Sequence, residues 1–375
     1  MAVPYPLSDQ TRKGVYSGDT HSASGAYKGI QTPIPTTHLN PESVPEHARK
    51  RLKMRIINTG NDHSLNGVHS LRELLCAMYD ACAKVIVQRN LYHKRQILHR
   101  SIGDKSIMFI PDTNKHQERE WRGLAGVKCV NQVLAKDKDL DPEPTCLLFD
   151  FDSSAELEAE WRRDGPTKCT GAPRFIARSV ASGELLSKLG FSSTDVDMPS
   201  MEGVLAEYRQ FMHTTEYQHG IRSTQSEVEF SHRLFHDAES TFWVIAWTLA
   251  RSIGEGSELK EKPHAHFRRF YHIIDRHLPS PGDLDSRLGI GALSGRYWES
   301  VMHPDLAMLA PMLGKMFRYI WPEWTYRPEL NPEHAHEALM RLLLAEIIRI
   351  KNDGTDPIID IGGQGIPPLP VDMMY

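Results

Sequence analysis

The sequence predicts an α+β fold, mostly helical with a small β element, and three observations carry that prediction. Several long stretches repeat apolar residues at three- and four-residue steps, the spacing of a helix face packed on a core. Two runs, Ile107 to Ile110 and Cys146 to Phe149, are short, apolar and bounded by turn or charged residues, as strands are. Thr241 to Leu249 is apolar around nearly its whole circumference, so it should run as a helix through the centre of the domain.

Taken in order, residues 1–50 are rich in Ser, Thr, Gly, Pro and His and lack periodicity, which reads as a disordered or degenerate N-terminal segment. Leu52, Met54, Ile56 and Ile57 suggest a strand that ends at the turn cluster Thr59-Gly60-Asn61-Asp62. Ser70-Leu71-Arg72-Glu73 is a capping box, in which the serine side chain takes one free backbone N–H and the glutamate returns to another. Behind it, Leu71, Leu74, Leu75, Met78, Cys82, Val85 and Ile86 draw one apolar stripe and predict a long helix. Residues 111–145 read as a charged insertion, a surface excursion with a short helix near Gly126 to Lys136. Further helices are predicted over Met201 to His213, His264 to His277, Pro304 to Trp321 with a break or kink at Pro311, and Pro332 to Lys351 with Asn331 as its cap. Domain boundaries follow as 1–50, then one body over 51–352, then a flexible tail over 353–375 that ends in Pro367-Pro368-Leu369-Pro370.

Composition narrows the function classes. With 44 Lys plus Arg against 48 Asp plus Glu, the net charge of −4 lacks the basic bias of a dedicated nucleic-acid binder, so no nucleic-acid partner is expected. The five cysteines, Cys76, Cys82, Cys129, Cys146 and Cys169, are scattered and form no C-x-x-C pair, which reads as reduced thiols. The first thirty residues hold no apolar run of signal-peptide length, and Thr241 to Ala250 is far shorter than the ~20 residues of a membrane helix. An intracellular protein of the cytoplasm or nucleus, with no membrane partner, is expected. The pairs His264/His266 and His334/His336 are spaced i, i+2 on helices and do not share a face, which argues against metal ligation.

Four motifs then occur in a telling order. They are Ile97-Leu98-His99-Arg100-Ser101-Ile102-Gly103, Leu148-Phe149-Asp150-Phe151-Asp152, Cys169-Thr170-Gly171-Ala172-Pro173-Arg174-Phe175-Ile176-Ala177, and His236-Asp237-Ala238-Glu239-Ser240-Thr241-Phe242-Trp243-Val244. Together they resemble the fungal-type protein kinases, whose members carry I-L-H-R-D-I-S, L-I-D-F-D, R-T-G-T-x-x-F-M-A and H-D-x-E-S-x-x-[WY]-V. The resemblance implies a protein-kinase-like fold, with a mostly helical C-terminal lobe and a small β element at the former active site. It implies that His99 packs under Phe151 and that Arg100 belongs to the loop's phosphate-sensing shell. It further implies that Asp237 accepts backbone N–H bonds from the His99-Arg100 loop and that Trp243 is structural. Asp150 takes the position that binds Mg²⁺ bridging the phosphates of ATP, which makes Mg-ATP the implied cofactor.

The departures from the family pattern concern chemistry. In H-R-D-x-x-x-x-N the aspartate is the base and the asparagine holds a second metal, and counting from His99 puts Ser101 and Ser106 in those places. Asp104 is the nearest carboxylate that could substitute as base, although it lies three positions from Ser101. At Arg178-Ser179 the family has a glutamate that anchors the segment through a buried arginine. Ser179 cannot form that pair, so a less firmly held segment is expected. No G-x-G-x-x-G and no lysine strand stands ahead of His99, so most of the N-terminal lobe is expected to be missing.

These readings predict a catalytically impaired pseudokinase that acts by binding or scaffolding protein partners. One alternative is an active ATP-dependent Ser/Thr kinase that uses Asp150 and a substitute base and is completed by a further N-lobe. Another is a degenerate paralogue with no activity. Oligomeric state is not legible in the sequence.

Overall fold

Helix α1 (Leu71–Arg95) forms where the apolar stripe predicts it and leads straight into the His99 loop. The computed structural model describes residues 63–95, 97–110, 128–150, 155–156, 172–187, 198–212, 229–259, 263–279, 282, 284–290, 295–327, 330–331 and 333–370. Residues 61–375 form one unit; the other, 1–60, lies outside the described residues, as do the expected strand near Leu52 and the segment 1–50.

The start of α1 is a capping box with an addition from far away in sequence. Ser70 Oγ accepts the Glu73 N–H at 3.2 Å, and Glu73 returns to the N–H of His69 at 2.9 Å, one residue earlier than expected. Asp356 then accepts from Ser70 Oγ at 2.8 Å and from the Arg72 N–H at 2.9 Å, so a second carboxylate sits at the positive end of the helix dipole. Leu71, Leu74, Leu75, Met78 and Cys82 are all buried.

The β element is a three-stranded antiparallel sheet, β1 (His63–Ser64), β3 (Ile107–Phe109) and β4 (Cys146–Leu148), with β3 in the middle. Ile107 faces Leu148 and Phe109 faces Cys146 across the β3–β4 ladder, the two strands read from the sequence. A shorter pair joins β2 (Ile97–Leu98) to β5 (Ala155–Glu156). The fold is therefore α+β, rich in helix, with these five short strands set close to the loop that follows α1.

Of the insertion, 111–127 lies outside the described residues; within 128–145 the stretch 135–141 is exposed, while the short helix and Thr145 are tied to α1. Helix α2 (Val130–Ala135) buries Val130 and Val133, and Asp80 of α1 accepts from the Val130 N–H at 2.8 Å and from both the N–H and Oγ1 of Thr145 at 2.7 and 2.8 Å. A buried carboxylate needs such donors, and the insertion supplies them.

After the short α3 (Arg178–Ser182) and a 3₁₀ helix at Gly203–Phe211, which replaces the α-helix expected over 201–213, comes α4 (Leu234–Arg251). Every residue of α4 from Leu234 to Ala250 is buried. Phe242, Trp243, Trp298 and Phe317 meet around it with ring centroids 5.2 to 6.4 Å apart, at the edge-to-face and tilted angles that aromatic quadrupoles favour. Helices α5 (Ala265–Asp275), α6 (Gly295–Val301), α7 (Ala310–Ile320) and α8 (His334–Asp353) complete the body. Pro311 does not kink a helix; a 3₁₀ turn ends at Leu309 and Pro311 opens α7, where its missing N–H has no partner to lose. Asn331 Oδ1 accepts the Glu333 N–H at 3.0 Å, ahead of α8.

The tail expected to be flexible is docked as far as residue 370. Strand β7 (Ile359–Asp360) pairs with β6 (Ile253–Gly254), Gln364 donates to Ala250 O at 2.7 Å, and His272 Nε2 lies 2.9 Å from Pro367 O. Burial of Ile359 and Ile361 offsets the freedom that the surrounding glycines and prolines would otherwise keep.

Candidate functional site

The site is built on one buried carboxylate. Asp237, in the first turn of α4, is 1% exposed, and its oxygens accept the backbone N–H groups of His99 and Arg100, each at 3.3 Å. Burial alone would make the Asp237 carboxyl a weaker acid, yet the interaction with His232 at 3.5 Å outweighs it and holds the group below the usual carboxylate range, so it stays ionised. His99 is itself fully buried. Its Nδ1 accepts the Ser101 N–H at 3.2 Å and its Nε2 donates to Phe149 O at 2.9 Å, which fixes the neutral tautomer. Burial pushes the imidazole down, against the pull of Asp237, in keeping with that assignment. His99 thus ties the loop after β2 to the end of β4.

Two residues at the site carry left-handed backbone, Arg100 with φ 67° and Asp150 with φ 62°. Such conformations cost non-glycine residues about 1 kcal/mol or more and persist where the surroundings impose them. For Arg100 the imposing contact is the Asp237 bond to its N–H.

The expected chemical positions lie beside this frame. Ser101 is buried, and its neighbour His99 has both nitrogens committed, so the imidazole cannot take a proton from the serine hydroxyl. Ser106 is turned back into its own loop: Oγ accepts the Gly103 N–H at 2.8 Å and donates to Gly103 O at 2.9 Å. Asp104 is half-buried in that same turn. Asp150 is exposed at the end of β4, and Phe151, its neighbour in the resemblance, lies outside the described residues. Mg²⁺ asks for several hard oxygen ligands in octahedral array. Among the described residues, no group of three or more His, Cys, Asp or Glu side chains could hold a metal, and the buried Ser106 hydroxyl is turned toward Gly103. The described residues do not make up a Mg-ATP site.

The segment after Cys169 is anchored more firmly than its sequence suggests. Arg178 Nε donates to Glu239 Oε1 at 2.7 Å, its backbone N–H donates to the same oxygen at 3.1 Å, and its guanidinium reaches Ile320 O and Trp321 O at 2.5 and 3.1 Å. Both partners are buried, at 1% and 6% side-chain exposure. An ion pair does join the segment to the central helix, with the cation, Arg178, on the segment and the anion, Glu239, on the helix. Trp243 Nε1 donates to Glu239 Oε1 at 3.1 Å, which gives that indole a defined place in the anchor. The sequence held one sign of this, a glutamate within a helix that is buried along its length, which calls for a compensating partner nearby.

Ser179, His236 and Glu323 also meet, with Ser179 Oγ 2.9 Å and Glu323 Oε1 3.8 Å from His236 Nε2. This is no nucleophile. The Arg233 N–H donates to His236 Nδ1 at 2.8 Å, so the imidazole proton sits on Nε2 and cannot be replaced by one from the serine. All three residues are buried away from any substrate. Glu323 is held at about 2, because the nearby His236 imidazole and the hydrogen bonds from Thr325 overcome the opposing effect of burial. His232, just ahead of α4, and His336, on α8, complete the surroundings of Asp237; the sequence singled out His336 only as half of a pair weighed for metal ligation and did not single out His232.

A buried carboxylate clamping a His-Arg loop beside an aspartate-bearing strand end defines a protein-kinase class of scaffold. The model of the fungal protein kinase family matches residues 7–249, more than half of the chain, and the chain belongs to that family. The match takes in 7–50, whose composition reads as disordered or degenerate, and ends within α4. No curated protein and no solved structure matches the chain. No helix among the described residues is long and apolar enough to cross a membrane.

Proposed function

We propose that this member of the family is a pseudokinase, a protein-kinase-like C-terminal lobe that binds or scaffolds other proteins and does not transfer phosphate. The observation that carries the reading is Ser106, whose hydroxyl closes the loop onto Gly103 with both of its hydrogen bonds where the family has a metal-binding asparagine. Ser101 supports it, since a serine beside a doubly committed imidazole has no means of accepting a proton. General-base assistance is worth roughly 100- to 10,000-fold, so its loss alone would take an ordinary kinase below useful rates. The frame around Asp237 is complete, which is what a binding protein needs.

The cytoplasm or nucleus is the compartment this reading implies, and the thiols suit it. Cys76, Cys82, Cys129 and Cys146 are free and buried, and burial pushes the Cys76 thiol up to about 12. Thiols so far from ionisation resist oxidation and exchange.

The test is a melting curve with and without Mg-ATP, together with transfer of radiolabelled phosphate to the protein itself and to a basic-protein substrate. No shift and no label are expected from the native chain. Label that depends on Mg-ATP and vanishes in Asp150→Ala would overturn the proposal. The double variant Ser101→Asp, Ser106→Asn shows in the same assays whether those two positions alone account for the loss.

A further inference from the structure

Two guanidiniums converge on one indole ring. Arg251, the last residue of α4, holds its guanidinium 5.0 Å from the centroid of the Trp247 ring, and Arg174, on the segment ahead of α3, lies 5.5 Å from the same centroid. Tyr271 of α5 packs on that ring with centroids 4.9 Å apart, and the charges of Asp275, Arg251 and Arg174 all act on its phenol. These contacts gather the end of α4, the segment ahead of α3 and the last turns of α5 at one place.

The groups differ in what they already hold. Arg174 gives one nitrogen to Asp275 at 2.5 Å, and its side chain is 41% exposed. Arg251 is partly exposed, and among the described residues its guanidinium makes no ion pair and donates no hydrogen bond. The Tyr271 hydroxyl has no hydrogen-bond partner among them either; burial, and then the Asp275 charge, pushes that phenol up against the two arginines, so it stays a donor. The buried Trp247 N–H is also without a partner among the described residues. One carboxylate set against two guanidiniums leaves one positive charge uncompensated and several donors unspent, and polar groups left over in this way call for a partner.

The position of Arg251 is imposed before anything binds. Its carbonyl accepts the N–H groups of Gly362 and Gln364 at 3.1 and 3.0 Å, which ties the end of α4 to the docked tail. A side chain on Gly362 would begin 3.1 Å from Arg251 Nη2, so the bare backbone at that glycine, with its φ of 95°, leaves the guanidinium its room. Asp360 on the same tail is turned toward Gly363 and makes no ion pair with Arg251. A donor already fixed in place loses little freedom when a ligand arrives.

We propose that Arg251 and Arg174, with the Tyr271 hydroxyl beside them, form a site for a carboxylate side chain on an acidic segment of a partner protein. The two oxygens of a carboxylate match the forked N–H donors of a guanidinium, and its single negative charge balances the one positive charge left over, which a phosphate dianion would exceed. The inference rests on the binding function proposed above. Its test uses no nucleotide, so failure of this site and failure of the pseudokinase reading register in different assays.

The experiment is selection from a random peptide display library on the full chain, followed by fluorescence-anisotropy titration of the enriched peptides. Enriched sequences should be rich in aspartate or glutamate. Their affinity should fall at least about ten-fold in Arg251→Gln and in Arg174→Gln, while Arg318→Gln, the same change of charge at an exposed position on α7, should leave it within about two-fold. Arg251→Lys, which keeps the charge but not the fork, should recover part of the loss. Melting curves show that each variant is folded, and with two arginines to change, one unfolded variant does not remove the test. No enrichment over a blank surface, enriched peptides that are basic or uncharged, or equal losses in Arg251→Gln and Arg318→Gln overturn the proposal. So does tighter binding when phosphoserine replaces the acidic residues of the same peptides, since the site would then serve a phosphate.

Discussion

The loop-holding half of the site and its chemical half differ in one physical respect. His99 and Asp237 are buried, and each uses both of its polar atoms in hydrogen bonds within the protein. Asp150 is exposed, and Ser106 needs only its own turn. Removing a buried partner leaves an orphaned donor or charge that water cannot reach, whereas an exposed carboxylate leaves nothing uncompensated behind. Shape and chemistry in this scaffold are thus separable: the groups that fix the loop are the ones that stability protects, and those that would act on a nucleotide are not.

The largest expected effect follows at Asp237. Asp237→Ala strands two backbone N–H groups and removes the anion that faces His232, His99 and His336. Urea denaturation should show a loss of about 3–5 kcal/mol, or no folded protein at all. A loss below about 1 kcal/mol would break the comparison, because the frame would then owe nothing to its buried carboxylate.

How much of this was visible in the sequence varies with the range of the interaction. The α1 stripe, the β3 and β4 runs and the all-apolar α4 are local patterns, and the structure forms each close to where its residues predict. The His99-Arg100 loop and Asp150 could be located by motif. The interactions that qualify those motifs are tertiary. Asp356 caps α1 from 286 residues away, and no spacing encodes it. The Arg178–Glu239 pair puts the cation on the segment, so a search for a glutamate there finds only Ser179. Glycines and prolines made 353–370 read as loose, because composition records chain freedom but not the hydrogen bonds with Arg251 and Ala250 that remove it. The turn made by Ser106 and Gly103 was beyond reach for the same reason: a serine at a lost asparagine position says what is missing, not what replaces it.

A smaller effect sharpens the same contrast through pH. His336 is fully buried, neither ring nitrogen has a hydrogen-bond partner among the described residues, and burial lowers it from 6.5 to about 4. Between those values the unfolded chain takes up a proton that the folded chain refuses, so stability falls as pH drops from about 6.5 toward about 4 and is level above that window. His334 adds the same dependence, being lowered to about 4 as well, but its Nδ1 contact with Asn331 O makes it the less clean position to change. His336→Leu should match the native chain or exceed it slightly at pH 7.5, because it removes an unpaired buried polar group. At pH 5 it should be the more stable of the two by about 1–2 kcal/mol. Denaturation curves at the two pH values give the comparison directly. An identical acid limb in both proteins would mean that His336 is not the group that titrates.

The smallest effect belongs to Asp150, where the chemical half can be tested without any nucleotide. Its backbone is left-handed at φ 62° and its side chain is exposed. Glycine accepts that conformation freely but adds freedom to the unfolded chain, and the two contributions, each about 0.5–1 kcal/mol, oppose one another. Asp150→Gly should therefore leave stability within about 0.5 kcal/mol of the native value, while Asp150→Ala, which keeps the unfavourable backbone and loses the tolerance of aspartate for it, should cost about 1 kcal/mol. The order of the two variants isolates backbone strain from anything the carboxylate does. If glycine costs as much as Asp237→Ala does, Asp150 holds a buried partner and belongs to the frame. If the order stands, the one acidic group inherited at the metal position contributes nothing to the fold that carries it, and only binding or catalysis could account for its presence.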